Sequence, residues 1–379
     1  MDLMDSNSQR DEDSDGETQI RDVSRLSELN APAQMMLSLF ERDTSQYSNL
    51  IDIYDMLPKF TASDRKSTDL SQAETIRHCK IGNTSYKVII RPAIMRDEDN
   101  GSNVLIYPGE REELVEAVLR KFAVEGQATL NGKEIGVTFT LYQLQKELKK
   151  RKHGYSFVEI REALFVLRGA TLECFTGDGI TVISSGFFST IALTTKEDWK
   201  KNTKSSYCMA MFNPLVTQSV MTMSWRPYNY LVNMAMSSPL ARFLHKKMSH
   251  NYKQARADTP YCFHLVRFLS ESERGLSKRM SENVRAMKNA LDHLIKHNVI
   301  LHYDFDKIQE GKAILDVKIT IYPHHDFVND IISANTEMKT KTQTLENLNR
   351  ASTIDAIKRS ISPTSKGAQT GRLKKSATA

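Results

Sequence analysis

The segment from residue 260 to 323 narrows the folds open to this chain more than any other. A short apolar run, His264 to Leu269, leads into a turn rich in Ser, Glu and Gly, then a long basic amphipathic stretch, then two β-rich runs on either side of Gly311. In the long stretch Met280, Val284, Met287, Leu291 and Leu294 recur at helical spacing and form one apolar stripe. Lys278, Glu282, Arg285 and Asn289 point the other way. The order is helix, turn, helix, wing. A helix held along one side, with cations and amides on the other, has the chemistry to enter a DNA major groove.

The first half of the chain repeats the plan. Tyr86 to Ile94 predicts a strand, Glu110 to Val124 a helix with Leu114, Val118 and Phe122 in one stripe, and Val137 to Thr140 a short strand. Thr140 is placed to cap a helix carrying Leu141, Leu144 and Leu148, which ends in the basic run Lys149-Lys150-Arg151-Lys152-His153-Gly154. Ser156 caps the next helix, with Phe157, Ile160, Leu164 and Leu167 as its stripe and Gly169 as its end. Ala170 to Phe175 and Ile180 to Ser185 then flank Thr176-Gly177-Asp178-Gly179, a hairpin turn in which glycine supplies positive φ.

Between the two halves lie an alternating strand, Cys208 to Phe212, the segment Asn213 to Met223, and a helix containing Leu231, Met234, Leu240, Phe243 and Leu244. In the second wing, Val299 to Phe305 and Ile314 to Tyr322 alternate, with Val317, Ile319 and Ile321 on one face. The expected fold class is α+β: two tandem winged helix-turn-helix domains with disordered N- and C-terminal segments.

Charge and composition set the expected boundaries. Residues 1 to 28 hold nine acidic and three basic side chains, and residues 338 to 379 hold nine basic and two acidic, so the ends are opposite in sign. Residues 1–74 are expected to be an acidic, largely disordered segment, with apolar docking islands at 34–60. Residues 75–224 make the first winged-helix domain, 225–337 the second, and 338–379 a basic disordered tail that adds nonspecific attraction to phosphate.

Several function classes are disfavoured. The chain has no run of about 18 uncharged apolar residues and no basic-then-apolar start, so no membrane partner is expected and a cytoplasmic location is the default. Cys79, Cys174, Cys208 and Cys262 are widely spaced among apolar neighbours, which points to small buried hydrophobes instead of metal ligands or disulfides. No G-x-x-x-x-G-K-[ST] loop is present. His324-His325-Asp326 lacks an accompanying carboxylate cluster and reads as a polar helix start. We expect no catalytic residues, no cofactor and no metal: a protein that is not an enzyme.

The residues assigned to base readout are Lys278, Arg279, Glu282, Arg285 and Asn289. Arg or Lys matches the two acceptors of guanine, Glu accepts from cytosine, and Asn pairs with adenine. A solvated face held by pairs such as Lys278 to Glu282 is the alternative. Arg274, Lys288 and Lys296 are assigned to phosphate. In the first module the equivalent helix shows Glu159, Arg161 and Glu162, a mixed surface poorly suited to groove entry, so Lys149, Lys150, Arg151 and Lys152 are assigned to phosphate or to a second protomer. Trp225, Tyr228 and Tyr230 either pack between the domains or stack on single-stranded DNA.

These residues resemble the iteron-binding plasmid replication initiators. The likeness rests on Phe139-Thr140-Leu141-Tyr142-Gln143-Leu144 and Val166-Leu167-Arg168-Gly169-Ala170-Thr171 in the first module. In the second it rests on Ser237-Ser238-Pro239-Leu240-Ala241-Arg242-Phe243-Leu244 and the run from Lys278 to His302. It spans roughly residues 34 to 323. The resemblance implies binding to double-stranded DNA with direct repeats, opening of an AT-rich tract, recruitment of a replicative helicase, and a homodimer that becomes a DNA-binding monomer. Met36-Leu37-Ser38-Leu39-Phe40 is similar to the Gln-Leu-Ser-Leu-Phe peptide that docks on the polymerase sliding clamp, with Leu37, Leu39 and Phe40 as anchors and Met36 where glutamine is expected. The alternatives are that these residues pack on the first domain, and that the whole chain is a winged-helix transcriptional regulator or a non-enzymatic interaction scaffold.

Overall fold

A computed structural model describes residues 31–42, 44–62, 66–67, 69, 74–96, 101–177, 181–193, 207–256 and 258–361. The acidic stretch 1–30, the turn residues Asp178 to Ile180 and the last residues 362–379 lie outside the described residues.

The apolar islands of the N-terminal segment are folded. Helix α1 (Ala31–Phe40) leads to strand β1 (Tyr47–Ile51) and a 3₁₀ turn (Tyr54–Met56). Leu50, Ile51, Tyr54, Met56, Leu57 and Phe60 are buried. The expectation of a largely disordered segment through residue 74 is therefore corrected for residues 31–62. So many large apolar side chains, brought together, bury enough surface to offset the ordering of the chain.

The first module continues with β2 (Lys66–Ser67), β3 (Thr75–Ile81), β4 (Thr84–Arg91), β5 (Ala93–Arg96) and β6 (Asn103–Ile106). Pro92 divides what the sequence presents as one strand into β4 and β5. Helix α2 (Glu110–Phe122) runs on into a π-helical turn, Ala123–Gln127, that Gly126 closes at φ +87°. Strands β7 (Ala128–Asn131) and β8 (Glu134–Phe139) follow, then the helix pair α3 (Leu141–Lys150) and α4 (Phe157–Gly169).

Both helices of the pair start as the sequence predicts, in capping boxes. Thr140 accepts from the Gln143 backbone N–H and Ser156 from that of Glu159. Leu144 and Leu148 of α3, and Ile160, Leu164 and Leu167 of α4, are buried together. The expected wing strands are β9 (Thr171–Thr176) and β10 (Thr181–Gly186), but β9 also pairs with β4, in the sheet order β10-β9-β4-β3. The first hairpin is thus part of a larger sheet. Strands β11 (Phe188–Ala192) and β12 (Cys208–Phe212) join β8 and β7, in the order β11-β12-β8-β7.

After α5 (Pro214–Met221), strand β13 (Trp225–Asn229) pairs antiparallel with β1, tying the N-terminal segment to the start of the second module. The helix expected across Leu231 to Leu244 is two helices, α6 (Tyr230–Ala235) and α7 (Pro239–Asn251). Pro239 sits in the first turn of α7 behind the Ser238 cap, a position where its missing N–H costs nothing. Next come β14 (Tyr261–His264), α8 (Leu265–Ser270), α9 (Met280–Lys296), β15 (Ile300–Glu310) and β16 (Ala313–Pro323). Strand β14, absent from the sequence reading, completes the sheet β14-β16-β15.

The core of the second module follows from the stripe on α9. Met287, Leu291 and Leu294 are wholly buried among Leu244 and Met248 of α7, Leu265 and Leu269 of α8, and Val317, Ile319 and Ile321 of β16. Each such side chain contributes about 1.5–3 kcal/mol of transfer free energy. Gly311, at φ +58°, makes the turn at the wing tip.

The last helix, α10, runs from His325 to Ile361. It extends through residues 338–361, which were expected to be unstructured; the stretch contains neither Gly nor Pro until Pro363. Lys341 pairs with Glu337 one turn earlier at 2.9 Å, which supports a helix in water.

Candidate nucleic-acid interface

Helix α9 is aimed by one asparagine. Asn283 lies on the buried side of the first turns, where its Oδ1 accepts from Arg274 Nη1 (3.1 Å) and the Ser277 backbone N–H (2.9 Å), and its Nδ2 donates to Ser277 O (2.8 Å). All three bonds tie the turn to the helix that follows it. The assignment of Arg274 to phosphate is corrected: its guanidinium also bonds Ser277 Oγ and the Gly275 carbonyl, so it braces the turn.

The solvent side of α9 carries Ser281, Arg285, Lys288, Asn289, Asp292 and Lys296, all exposed. Glu282 sits at its edge, paired with Arg279 at 3.7 Å instead of with Lys278. Lys278 and Arg279 are exposed just ahead of the first turn. On one flank α9 meets the wing: Lys288 Nζ is 5.5 Å from the centre of the Phe305 ring, and Tyr303 donates to Asp292 at 3.1 Å. The opposite flank faces a cleft of about 600 Å³, lined by Ala286, Asn289 and Arg274 together with Glu110, Arg111 and Tyr155 of the first module. The exposed stripe is thus framed by a wing and a groove. Ser281 escaped the sequence reading because a serine carries no charge signal.

A buried ionic joint fixes the modules beneath this surface. Glu113 on α2 accepts from Arg242 Nη2 (2.8 Å) and Lys246 Nζ (2.8 Å) on α7, and Arg242 also reaches Glu110 at 3.0 Å. Beside it, Asp55 binds Arg120 at 2.7 Å and Lys59 at 3.3 Å. Burial would raise the Glu113 carboxyl, but Arg242 and Lys246 outweigh it and hold it at about 2. Asp55 is held low in the same way by Arg120 and Lys59. Glu273, buried in the turn before α9, behaves oppositely: burial and the nearby Glu113 carboxylate push it up to about 7, against Lys246, Lys59 and Arg77. In the sequence Arg242 and Lys246 read as solvated charges, because they lie off the stripe that Leu240, Leu244 and Met248 form on the same helix.

In the first module the basic run divides. Lys149, Lys150 and Lys152 are exposed, with Lys152 in the left-handed region at φ 68°. Arg151 turns back to Glu147 at 2.8 Å and lies 5.9 Å from the Tyr230 ring, so its assignment to phosphate is corrected. The acidic groups expected to spoil α4 are also engaged. Glu159 takes the Ser156 backbone N–H and hydroxyl, both at 2.8 Å, and Glu162 pairs with Arg111 at 3.0 Å.

Two other expectations are corrected by burial. Leu37, Leu39 and Phe40 are helical and buried, with Phe40 edge-on to Trp225 at 5.4 Å, so they do not form the extended free peptide that clamp docking needs. Trp225, Tyr228 and Tyr230 are buried as well, which takes them away from single-stranded DNA. Cys79, Cys174 and Cys208 are buried and unbridged, whereas Cys262 is exposed on the outer face of β14, contrary to the expectation of a buried hydrophobe. His324, His325 and Asp326 cluster with ligand-capable atoms within 4.8 Å of one another, and His324 Nδ1 accepts the Asp326 backbone N–H, as at a helix start. Among the described residues no helix is long and apolar enough to cross a membrane.

No family model and no curated protein matches this sequence. Among solved structures, a selenomethionine derivative of domains 2 and 3 of RctB matches with a TM-score of 0.45 and 11% identity, over 72% of this chain and 96% of that one. A second structure of RctB domains 2–3 matches with a TM-score of 0.43 and 11% identity, over 74% and 99%. The Pi initiator protein in complex with iteron DNA matches with a TM-score of 0.41 and 10% identity, over 57% and 91%.

Proposed function

We propose that this protein is a non-enzymatic, sequence-specific DNA-binding replication initiator. It binds direct repeats in an origin through α9 and its wing, promotes opening of adjacent AT-rich duplex, and brings in a host helicase in the cytoplasm. One observation carries the reading: Asn283 locks α9 onto its turn, while Arg285, Lys288 and Asn289 stand exposed between the wing and the inter-module cleft. That arrangement presents cations and an amide to a major groove on a rigid support. The resemblance of the sequence to iteron-binding initiators supplies the opening and recruitment steps.

The test is a footprint of the purified protein on DNA flanking its gene, followed by permanganate probing of unpaired thymines. Protection of several direct repeats about two helical turns apart, with permanganate reactivity in a neighbouring AT-rich tract, is expected. Protection of a single inverted repeat without strand opening overturns the initiator reading in favour of a transcriptional regulator. Binding that ignores salt overturns DNA recognition altogether, because phosphate contacts release counterions.

A further inference from the structure

Lys278, Arg279, Arg285 and Lys288 put four exposed cations on α9 and its approach. On the wing, Tyr303 and Phe305 face α9, so the alternate residue Lys307, also exposed, falls on the same side of β15. The carboxylates nearby do little to balance this charge. Glu282 reaches only Arg279, at 3.7 Å, and Asp292 accepts from Tyr303. Among the described residues no ion pair engages Lys278, Arg285 or Lys288. Like charges one turn apart on a helix repel, so an anion laid over them is favourable.

The same chain carries an anion of matching form. Asp11, Glu12, Asp13, Asp15 and Glu17 crowd their carboxylates into one short run. Four of them, Asp11, Asp13, Asp15 and Glu17, take every second position, so an extended backbone would carry those four along one side, about 6.6 Å apart. A row of anions in single file is also what a nucleic-acid strand presents. A face that accepts phosphates in a row accepts these carboxylates by the same Coulombic attraction.

The N-terminal segment is anchored to the module that bears α9. Strand β1 pairs with β13, and Tyr47 Oη donates to Asp330 on α10 at 2.7 Å. From Glu17 to Ala31 the chain spans at most about 50 Å. A compact body of about 300 residues has a radius of gyration of roughly 19 Å, so a tether of that length is enough to cross it. Lys149 and Lys150 are a second cationic group, but they belong to the other module. Helix α9 is also flanked by the wing and by the cleft of about 600 Å³, which give an extended chain walls to lie against.

We propose that residues 11–17 lie along the exposed stripe of α9 in the free protein, their carboxylates against Lys278, Arg285 and Lys288, and leave it when duplex binds. The inference rests on the reading of α9 as the duplex-binding face and adds to it a competitor carried by the same chain. Competition acts on the free protein alone, so it divides the affinity for every duplex by one factor and leaves the order of preference unchanged. The docked carboxylates have already displaced counterions from α9. Duplex binding therefore depends on salt less steeply than the cations alone would give.

The experiment compares the full-length protein with a variant carrying Asp11→Asn, Glu12→Gln, Asp13→Asn, Asp15→Asn and Glu17→Gln, using fluorescence anisotropy of a labelled random-sequence duplex over a range of salt. At low salt the neutralised variant should bind about tenfold more tightly, the combined effect of several exposed ion pairs. Its slope of log affinity against log salt should be steeper. Carbodiimide, which condenses a carboxylate with a lysine in contact with it, then locates the segment in the parent protein. Crosslinks from residues 11–17 to Lys278 or Lys288 are expected in the free protein and should vanish when duplex is added. Unchanged affinity in the neutralised variant overturns the inference, and so do crosslinks that run instead to Lys149, Lys150 or the lysines of the basic tail. Either result leaves duplex binding by α9 in place. Crosslinks to α9 that persist under saturating duplex take DNA away from that helix and overturn this inference and the proposed function together.

Discussion

Glu113 and Arg242, 129 residues apart in the chain, meet inside the joint between the two modules at 2.8 Å, with Lys246 on the second carboxylate oxygen at the same distance. Removing one member of a buried ion pair leaves the others charged and dry, which costs about 3–5 kcal/mol. Glu113→Ala should lose that much in denaturant-induced unfolding. Arg242→Ala should lose a similar amount, and the double variant should lose less than the sum of the two.

Glu273 makes the same joint sensitive to pH. Its carboxyl is raised to about 7, so between the ordinary glutamate range and that value the folded protein holds a proton that the unfolded chain releases. Its contribution is present at low pH and is lost as pH rises through 7. The groups facing it are Glu113 from α2, Lys246 from α7, Lys59 after the 3₁₀ turn and Arg77 from β3. Glu273→Gln keeps the neutral form at every pH. Relative to the parent, the variant should gain stability between pH 6 and 8 in thermal melts, with little difference below pH 5.

Asn283 tests whether the aim of α9 matters apart from its chemistry. Asn283→Ala removes two acceptor bonds and one donor bond from the turn, stranding the Ser277 backbone groups at about 1–3 kcal/mol in stability. Because Asn283 is buried and offers nothing to DNA directly, duplex affinity should fall for every sequence alike, with the order of preference unchanged. A changed order would mean that Asn283 itself touches bases.

Phe40 separates packing from docking. It is buried against Trp225, and truncating a buried phenylalanine costs about 3–5 kcal/mol. Phe40→Ala should lower the unfolding midpoint accordingly. In a pull-down with purified sliding clamp the folded parent protein should not bind; capture lost only in Phe40→Ala would show that the helix opens to expose its anchors.

The parts legible in the sequence are those whose structure is local. The α9 stripe and the Thr140 and Ser156 capping boxes are set by neighbours within a few turns, and each forms where its residues place it. The β1–β13 pairing was not legible, because Tyr47 meets Asn229 across nearly half the chain and neither strand alternates. The ionic joint was illegible for a related reason. Arg242 and Lys246 look like solvated charges until Glu113 is placed against them. The outward face of α4 was only partly legible: the capping box that holds Glu159 is local, but the pairing of Glu162 with Arg111 and the exposure of Val158 and Phe165 depend on how α4 packs.

The division between readout and attraction can be measured on α9 and α3. Arg285 stands at the middle of the exposed stripe, where a guanidinium reaches paired acceptors on guanine, a contact that discriminates by about 1–3 kcal/mol. Lys149 and Lys150 sit exposed in the last turn of α3, so the contribution assigned to them is charge. Arg285→Ala should therefore flatten affinity differences between preferred and altered duplexes. Lys149→Ala and Lys150→Ala should each weaken binding evenly across sequences and reduce the slope of log affinity against log salt by about one. Arg151→Ala serves as the control: its guanidinium is held by Glu147, so the salt slope should stay as it is. Equal, sequence-independent losses from Arg285→Ala and Lys150→Ala would mean that α9 meets only phosphate, and the assignment of base reading to its exposed stripe would fall.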